Sequence, residues 1–185
     1  MRMIRNILGG LVSICLVSTL IAPGASFAAS AEELNAEADA AMVRLQQSEP
    51  VTDKMIENAK GILIFPKIVK GGLIIGAAAG KGVLRVGGKT EGYFRSTAVS
   101  YGLQAGITKF GYVMFLMDDE AVEYVRKSEG WEVGVGPNVT IADQGIARKL
   151  STSTVNSGIY VFFVSQKGFF AGLGIEGTKI SRIAE

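Results

Sequence analysis

The chain has 185 residues, 48% of them hydrophobic, with a formal net charge of +2, one cysteine and no histidine. Without histidine it lacks the commonest general base and zinc ligand, so Ser-His-Asp hydrolysis, Cys-His chemistry and ordinary zinc sites are excluded in their usual forms. The charge excess comes from Arg2 and Arg5, so residues 29–185 are balanced and no nucleic-acid partner is expected.

Arg2 and Arg5 precede an apolar run from Ile7 to Ile21, followed by Pro23 and the small-residue site Ser26-Phe27-Ala28. This is the layout of a secretory signal peptide over residues 1–28, which predicts a periplasmic or secreted protein. The run is too short to span a bilayer comfortably, and no later segment offers the roughly 18 uninterrupted apolar residues of a membrane helix. Cys15 follows Ile14 in the middle of the run, whereas a lipoprotein cysteine follows a small residue at its end, so lipidation is not expected. Residues 29–185 make one ordinary domain that contains no cysteine and must hold together by packing.

Leu34, Ala38, Met42 and Leu45 recur at helical spacing and predict a helix over 30–47, ended by Pro50. A short second helix is expected after it, with Thr52 as N-cap and Gly61 as its stop. Beyond Lys60 the character changes: every glycine after Gly24 lies there, and Val, Ile, Phe and Tyr gather in short runs. This is strand composition. Strands are predicted over 61–65, 72–79, 82–86, 92–95, 98–108, 111–117, 131–142, 158–165, 168–175 and 179–183. One helix interrupts them, opened by Asp118-Asp119-Glu120 and closed by Gly130. Those acids suit a helix N-terminus and lack the ligand spacing of a calcium loop. The fold class is α+β: N-terminal helices, then a mostly antiparallel, Gly-rich β-barrel or sandwich with one inserted helix. Trp131, Tyr160, Phe162, Phe163, Phe169 and Phe170 are expected in its core.

The stretch Gly76-Ala-Ala-Ala-Gly80-Lys81-Gly82 looks like a phosphate loop but fails the pattern, with three residues between its first two glycines and glycine where the hydroxyl should stand. No nucleotide is expected. The glycines read instead as a bent strand turning into the next.

The blocks Ala59-Lys60-Gly61-Ile62-Leu63-Ile64-Phe65-Pro66, Gly80-Lys81-Gly82-Val83-Leu84, Gly102-Leu103-Gln104-Ala105-Gly106, Trp131-Glu132-Val133-Gly134 and Gly168-Phe169-Phe170-Ala171-Gly172 resemble, in order, those of the SYLF domain family. The resemblance runs from about Ala36 to Ile183 and implies a lipid-binding module. Eukaryotic members bind phosphoinositides and fungal ones also actin and its regulators; bacterial members are exported single domains without an established reaction. The amphipathic helix that aids lipid contact in eukaryotic members has no counterpart here, because the segment from Glu32 to Glu49 is acidic.

Basic residues crowd between Lys54 and Lys109, and acids between Asp118 and Asp143. Lys60, Lys67, Lys70, Lys81, Arg85 and Lys89, with Phe65, Ile68 and Val69 among them, are the candidate lipid-binding residues, since cations beside apolar side chains suit an anionic headgroup surface. The expected function is binding of an anionic phospholipid or related amphiphile at a membrane surface, without a cofactor, metal or catalytic residue. The alternative is a non-catalytic structural or protein-interaction domain of the cell envelope, in which basic and acidic regions pair between copies of a homo-oligomer.

Overall fold

The computed structural model describes residues 23–72, 75–101, 106–127, 131–132, 137–142, 157–164 and 177–183. Helix α1 (Pro23–Ser48) and helix α2 (Thr52–Asn58) precede strands β1 (Gly61–Gly72), β2 (Ile75–Val86), β3 (Lys89–Tyr101) and β4 (Gly106–Leu116). Helix α3 (Asp119–Lys127) follows, then β5 (Trp131–Glu132), β6 (Val139–Ile141), β7 (Ile159–Val164) and β8 (Lys179–Arg182). Among the described residues no helix is long and apolar enough to cross a membrane.

Among the described residues all eight strands belong to one sheet, ordered β5-β8-β3-β2-β1-β4-β7-β6, in which only β6 and β7 pair in parallel. The sheet curls into a half-barrel, so the α+β class holds and its second layer is helical, which removes the sandwich. Alternation along the strands sends residues to two separate cores. On one face Leu63, Phe65, Ile68, Leu84, Phe94, Tyr112 and Met114 pack together, and α3 adds Ala121, Val122 and Val125. On the other, Ile64, Val83, Val113, Phe115 and Phe162 receive Leu34, Ala38, Ala41, Met42 and Leu45 of α1 and Met55 of α2. Each large side chain so buried contributes about 1.5–3 kcal/mol.

The first helix begins earlier than its apolar period indicates, at Pro23, and runs across the expected cleavage point at Ala28. Thr52 is not an N-cap: Val51 holds that position, and the Thr52 hydroxyl donates back to the Glu49 carbonyl at 2.7 Å. Gly61 does not stop α2 either, because the chain turns extended at Ala59 and Gly61 already begins β1. Asp118 does cap α3, accepting the Ala121 N–H at 2.7 Å through one oxygen and the Gly158 N–H at 2.8 Å through the other.

Strands predicted as short pieces are long. The expected break at Gly80-Lys81-Gly82 lies inside β2, and the turn that reverses the chain is Gly87-Gly88, both at positive φ (57° and 77°). The inner glycines serve a bulge instead. The register of β1 slips by one residue around Pro66 against both β2 and β4. There the bulged backbone leaves no room for neighbouring side chains: a Cβ on Gly80 would strike the Lys67 carbonyl, one on Gly82 the Ile64 carbonyl and the Phe65 ring at 2.6 Å, and one on Gly111 the Pro66 carbonyl at 2.6 Å. The segment predicted as one strand over 131–142 is β5 and β6, which lie at opposite edges of the sheet. The strand predicted over 168–175, with Phe169 and Phe170, and the helix stop at Gly130 lie outside the described residues. Phe162 is buried, and Tyr160 and Phe163 pack partly buried against the two cores.

Candidate functional site

The helices cover only part of one sheet face. Past Ile64, Val83, Tyr93 and Val113, the strands β1–β4 continue beyond α1, and most of the described residues on that same face are solvent-exposed. Successive cross-strand rows can be read from the register. The first is Lys67↔Lys81↔Arg95, on β1, β2 and β3. The second is Lys109↔Val69↔Ala79↔Thr97, now including β4. The third is Ile107↔Gly71↔Ala77↔Val99. Val69, Val99 and Ile107 are exposed at 40%, 65% and 76%, among the few large aliphatic side chains so placed in the described residues.

Directly opposed residues of an antiparallel pair bring their Cβ atoms to about 4.5–5.5 Å, and like charges at that distance repel. The row Lys67–Lys81–Arg95 puts three cations on adjacent strands in that relation. Lys109 stands one row further on, and no acid shares the face on β1–β4 among the described residues. None of the four cations is in an ion pair among the described residues. Elsewhere cations are neutralised: Arg85 meets Asp39 at 2.6 Å, and Arg126 meets Glu91 and Glu123. Lys179 of β8 sits beside Thr97 in the register, with Glu132 of β5 as its other partner.

Of the residues singled out from sequence, Lys67, Val69 and Lys81 come together on this surface. The others do not. Phe65 and Ile68 are 0% and 1% exposed, because the bulge turns both into the core beneath α3, so neither presents an apolar surface to a ligand. Lys70 points to the opposite face, half-buried, with Ala78 as register partner. Arg85 lies under α1, donating to Asp39 Oδ1 and to the Asn35 carbonyl, and is an anchor for the helix. Lys60 and Lys89 are exposed near the other ends of their strands, Lys60 ahead of β1 and Lys89 after the Gly87-Gly88 turn. Sequence reasoning left out Arg95, Val99, Ile107 and Lys109. Their signal was strict alternation in Arg95-x-Thr97-x-Val99 and Ile107-x-Lys109, which marks a shared face only once the register is known.

Other polar groups have structural partners. The Tyr112 hydroxyl donates to Ser96 Oγ at 2.8 Å inside the core, and burial pushes its phenol far above the ordinary value. Among the described residues no group of His, Cys, Asp or Glu is arranged to hold a metal ion.

Residues 97–185 match the family model described as Ysc84, Las17-binding protein actin regulator. The chain is also similar to the beta cell expansion factor A of Aeromonas veronii, 27% identical over 147 residues. That alignment takes in 79% of this chain but spans only about half, 54%, of the relative's length. SYLF domains are associated with lipid binding and actin-related interaction, so a membrane surface is at a coarse level a partner of the family. These matches bear out the resemblance carried by the sequence blocks and are consistent with a SYLF-domain protein.

Proposed function

We propose that this chain is an exported, non-catalytic protein that binds anionic phospholipid through the bare face of β1–β4. The observation that carries the reading is the row Lys67–Lys81–Arg95, without an ion pair among the described residues and flanked by Lys109 and by exposed Val69, Val99 and Ile107. A row of opposed cations weakens the sheet, and an anionic surface removes that penalty. Four cations at about 1 kcal/mol each near anionic lipid supply roughly 4 kcal/mol, which alone is millimolar binding. Partial burial of the three aliphatic side chains, each worth up to about 1.5–3 kcal/mol, brings the total into the micromolar range.

Vesicle sedimentation tests the reading. The protein is expected to pellet with phosphatidylglycerol or cardiolipin vesicles and to stay in solution with phosphatidylcholine ones, and Lys67→Glu with Lys81→Glu should release it. Equal pelleting with every composition, or none, sinks the proposal. A second reading, self-association, draws on the exposed acids Glu32 and Glu33 of α1, whose charge complements the basic face. Salt-sensitive oligomers in analytical ultracentrifugation, without vesicle binding, would favour it.

A further inference from the structure

The first row of the bare face continues onto a fourth strand. Arg95 of β3 has Lys81 of β2 as one register partner and Ser181 of β8 as the other, so the order across the sheet is Lys67, Lys81, Arg95, Ser181. Directly opposed residues of antiparallel strands share a face, with Cβ atoms about 4.5–5.5 Å apart. Burial along β8 agrees with this placement: Ile180 lies in the core of the opposite face, Lys179 is exposed and Ser181 is half-buried. Thr97 follows Arg95 on the bare face, and its hydroxyl reaches the Lys179 carbonyl only at 3.4 Å.

The two ends of the row therefore differ in chemistry. At the β1 end the bulge leaves Lys67 across from Gly111, and the next residue on the face is Val69. At the β3 end Arg95 stands between an ammonium and a hydroxyl, with a second hydroxyl two residues along its own strand. Arg95 is also the only guanidinium on the bare face among the described residues. Lys179 is left out of the comparison, because Glu132 of β5 is its other register partner.

A guanidinium fork makes two parallel hydrogen bonds to an oxyanion, whereas an ammonium acts as a point charge. The fork serves both oxygens of a planar carboxylate by itself. A tetrahedral phosphate keeps further oxygens out of the plane of the fork, within reach of donors on the neighbouring strands.

We propose that Arg95, with Lys81 and Ser181 on the strands to either side, forms a seat for the phosphate of a lipid headgroup, so that the surface selects phosphate and does not merely attract negative charge. Val69 and Ile107 lie toward β1 and β4, away from the hydroxyls, which gives the apolar part of a lipid its own half of the face. The proposal rests on the lipid-binding reading and adds the headgroup chemistry and the residues that read it.

The full chain is sedimented at pH 8 with phosphatidylcholine vesicles carrying either phosphatidylglycerol or diacylglycerol hemisuccinate, a carboxylate lipid, at matched surface potential. The phosphate vesicles should bind about tenfold more tightly, the effect of one charge-assisted hydrogen bond. Arg95→Lys, which conserves charge, and Ser181→Ala, which leaves charge untouched, should bring that ratio toward one. Lys67→Ala should weaken both interactions alike and preserve the ratio. Equal affinity of the parent for the two vesicle types means that charge alone governs, which overturns the seat while lipid binding stands. A ratio that survives Arg95→Lys and Ser181→Ala, or that falls as far in Lys67→Ala, also overturns it. Displacement from phosphatidylglycerol vesicles by inorganic phosphate, at an ionic strength where chloride has no effect, would make the ligand a soluble phosphate and overturn the lipid assignment. Failure to pellet with either anionic vesicle refutes the lipid reading itself.

Discussion

Arg126 holds two carboxylates at once. Its Nε and one terminal nitrogen donate to the two oxygens of Glu91 at 2.6 and 2.5 Å, and its other nitrogen donates to Glu123 at 2.7 Å, three residues back on α3. The paired geometry ties α3 to β3 across the sheet, and it is the kind of contact that only a guanidinium makes. The hydrogen bond from Arg126 holds the Glu91 carboxyl below its ordinary value near 4.5, against the opposing effect of partial burial. A carboxyl whose folded-state pKa is depressed stabilises the fold above its unfolded pKa, and that contribution fades as pH falls through the folded value. Glu91→Gln should therefore be less stable than the parent near neutral pH, with the gap closing as the solution is acidified below about 4.5. Urea midpoints measured across pH 3–7 would show it, and a gap independent of pH would mean that the Glu91–Arg126 pair does not couple folding to protonation.

At the scale of the element, neighbouring cations on β2 have opposite employment. Arg85 is covered by α1 and bound to Asp39 and Asn35; Lys81 lies four residues away on the same face and meets solvent. Asn35 adds further ties, donating to the Tyr93 hydroxyl at 2.9 Å and accepting from Thr90 at 2.7 Å. The helix is nonetheless held mainly by packing. Leu45 is fully buried, and Leu45→Ala should cost about 2–5 kcal/mol. The Arg85–Asp39 pair, with Asp39 65% exposed, is worth at most about 1 kcal/mol. Arg85→Glu is accordingly expected to lower the melting temperature while sparing vesicle pelleting, and Lys81→Glu to do the reverse. Should both variants lose pelleting equally at a temperature where both are folded, the division between anchor and surface would be wrong. The sequence separated these roles poorly. Period 3.6 showed which side of α1 is buried because helical neighbours are close in the chain. The partners of Lys81, in contrast, are Lys67 and Arg95, set by hairpin register and by a bulge at Pro66 that moves every later β1 side chain to the other face. Gly80 and Gly82 read as a turn for the same reason: what excludes a side chain there is the bulged backbone of β1, which no local pattern in β2 reveals.

For the whole molecule the question is whether a membrane would sense net charge or a local patch. The formal net charge is +2, and both excess cations, Arg2 and Arg5, lie in the expected signal segment, so attraction by the average field of residues 29–185 is weak. Neighbouring cations of the first row, Lys67 with Lys81 and Lys81 with Arg95, stand about 5 Å apart across adjacent strands, inside the Debye length of about 8 Å at physiological salt. Lys89 pairs with Val86, five positions along β2 from Lys81, and Lys60 stands seven residues before Lys67, which at about 3.4 Å per residue puts each more than about 15 Å from the first cation row. Replacing any one of these residues by Glu changes the net charge by the same amount. If the patch governs binding, Lys67→Glu and Lys81→Glu should weaken pelleting with phosphatidylglycerol vesicles and flatten its dependence on salt, while Lys60→Glu and Lys89→Glu leave both near the parent values. Equal losses at all four positions would show that net charge decides, and that the row on β1, β2 and β3 has no special part in it.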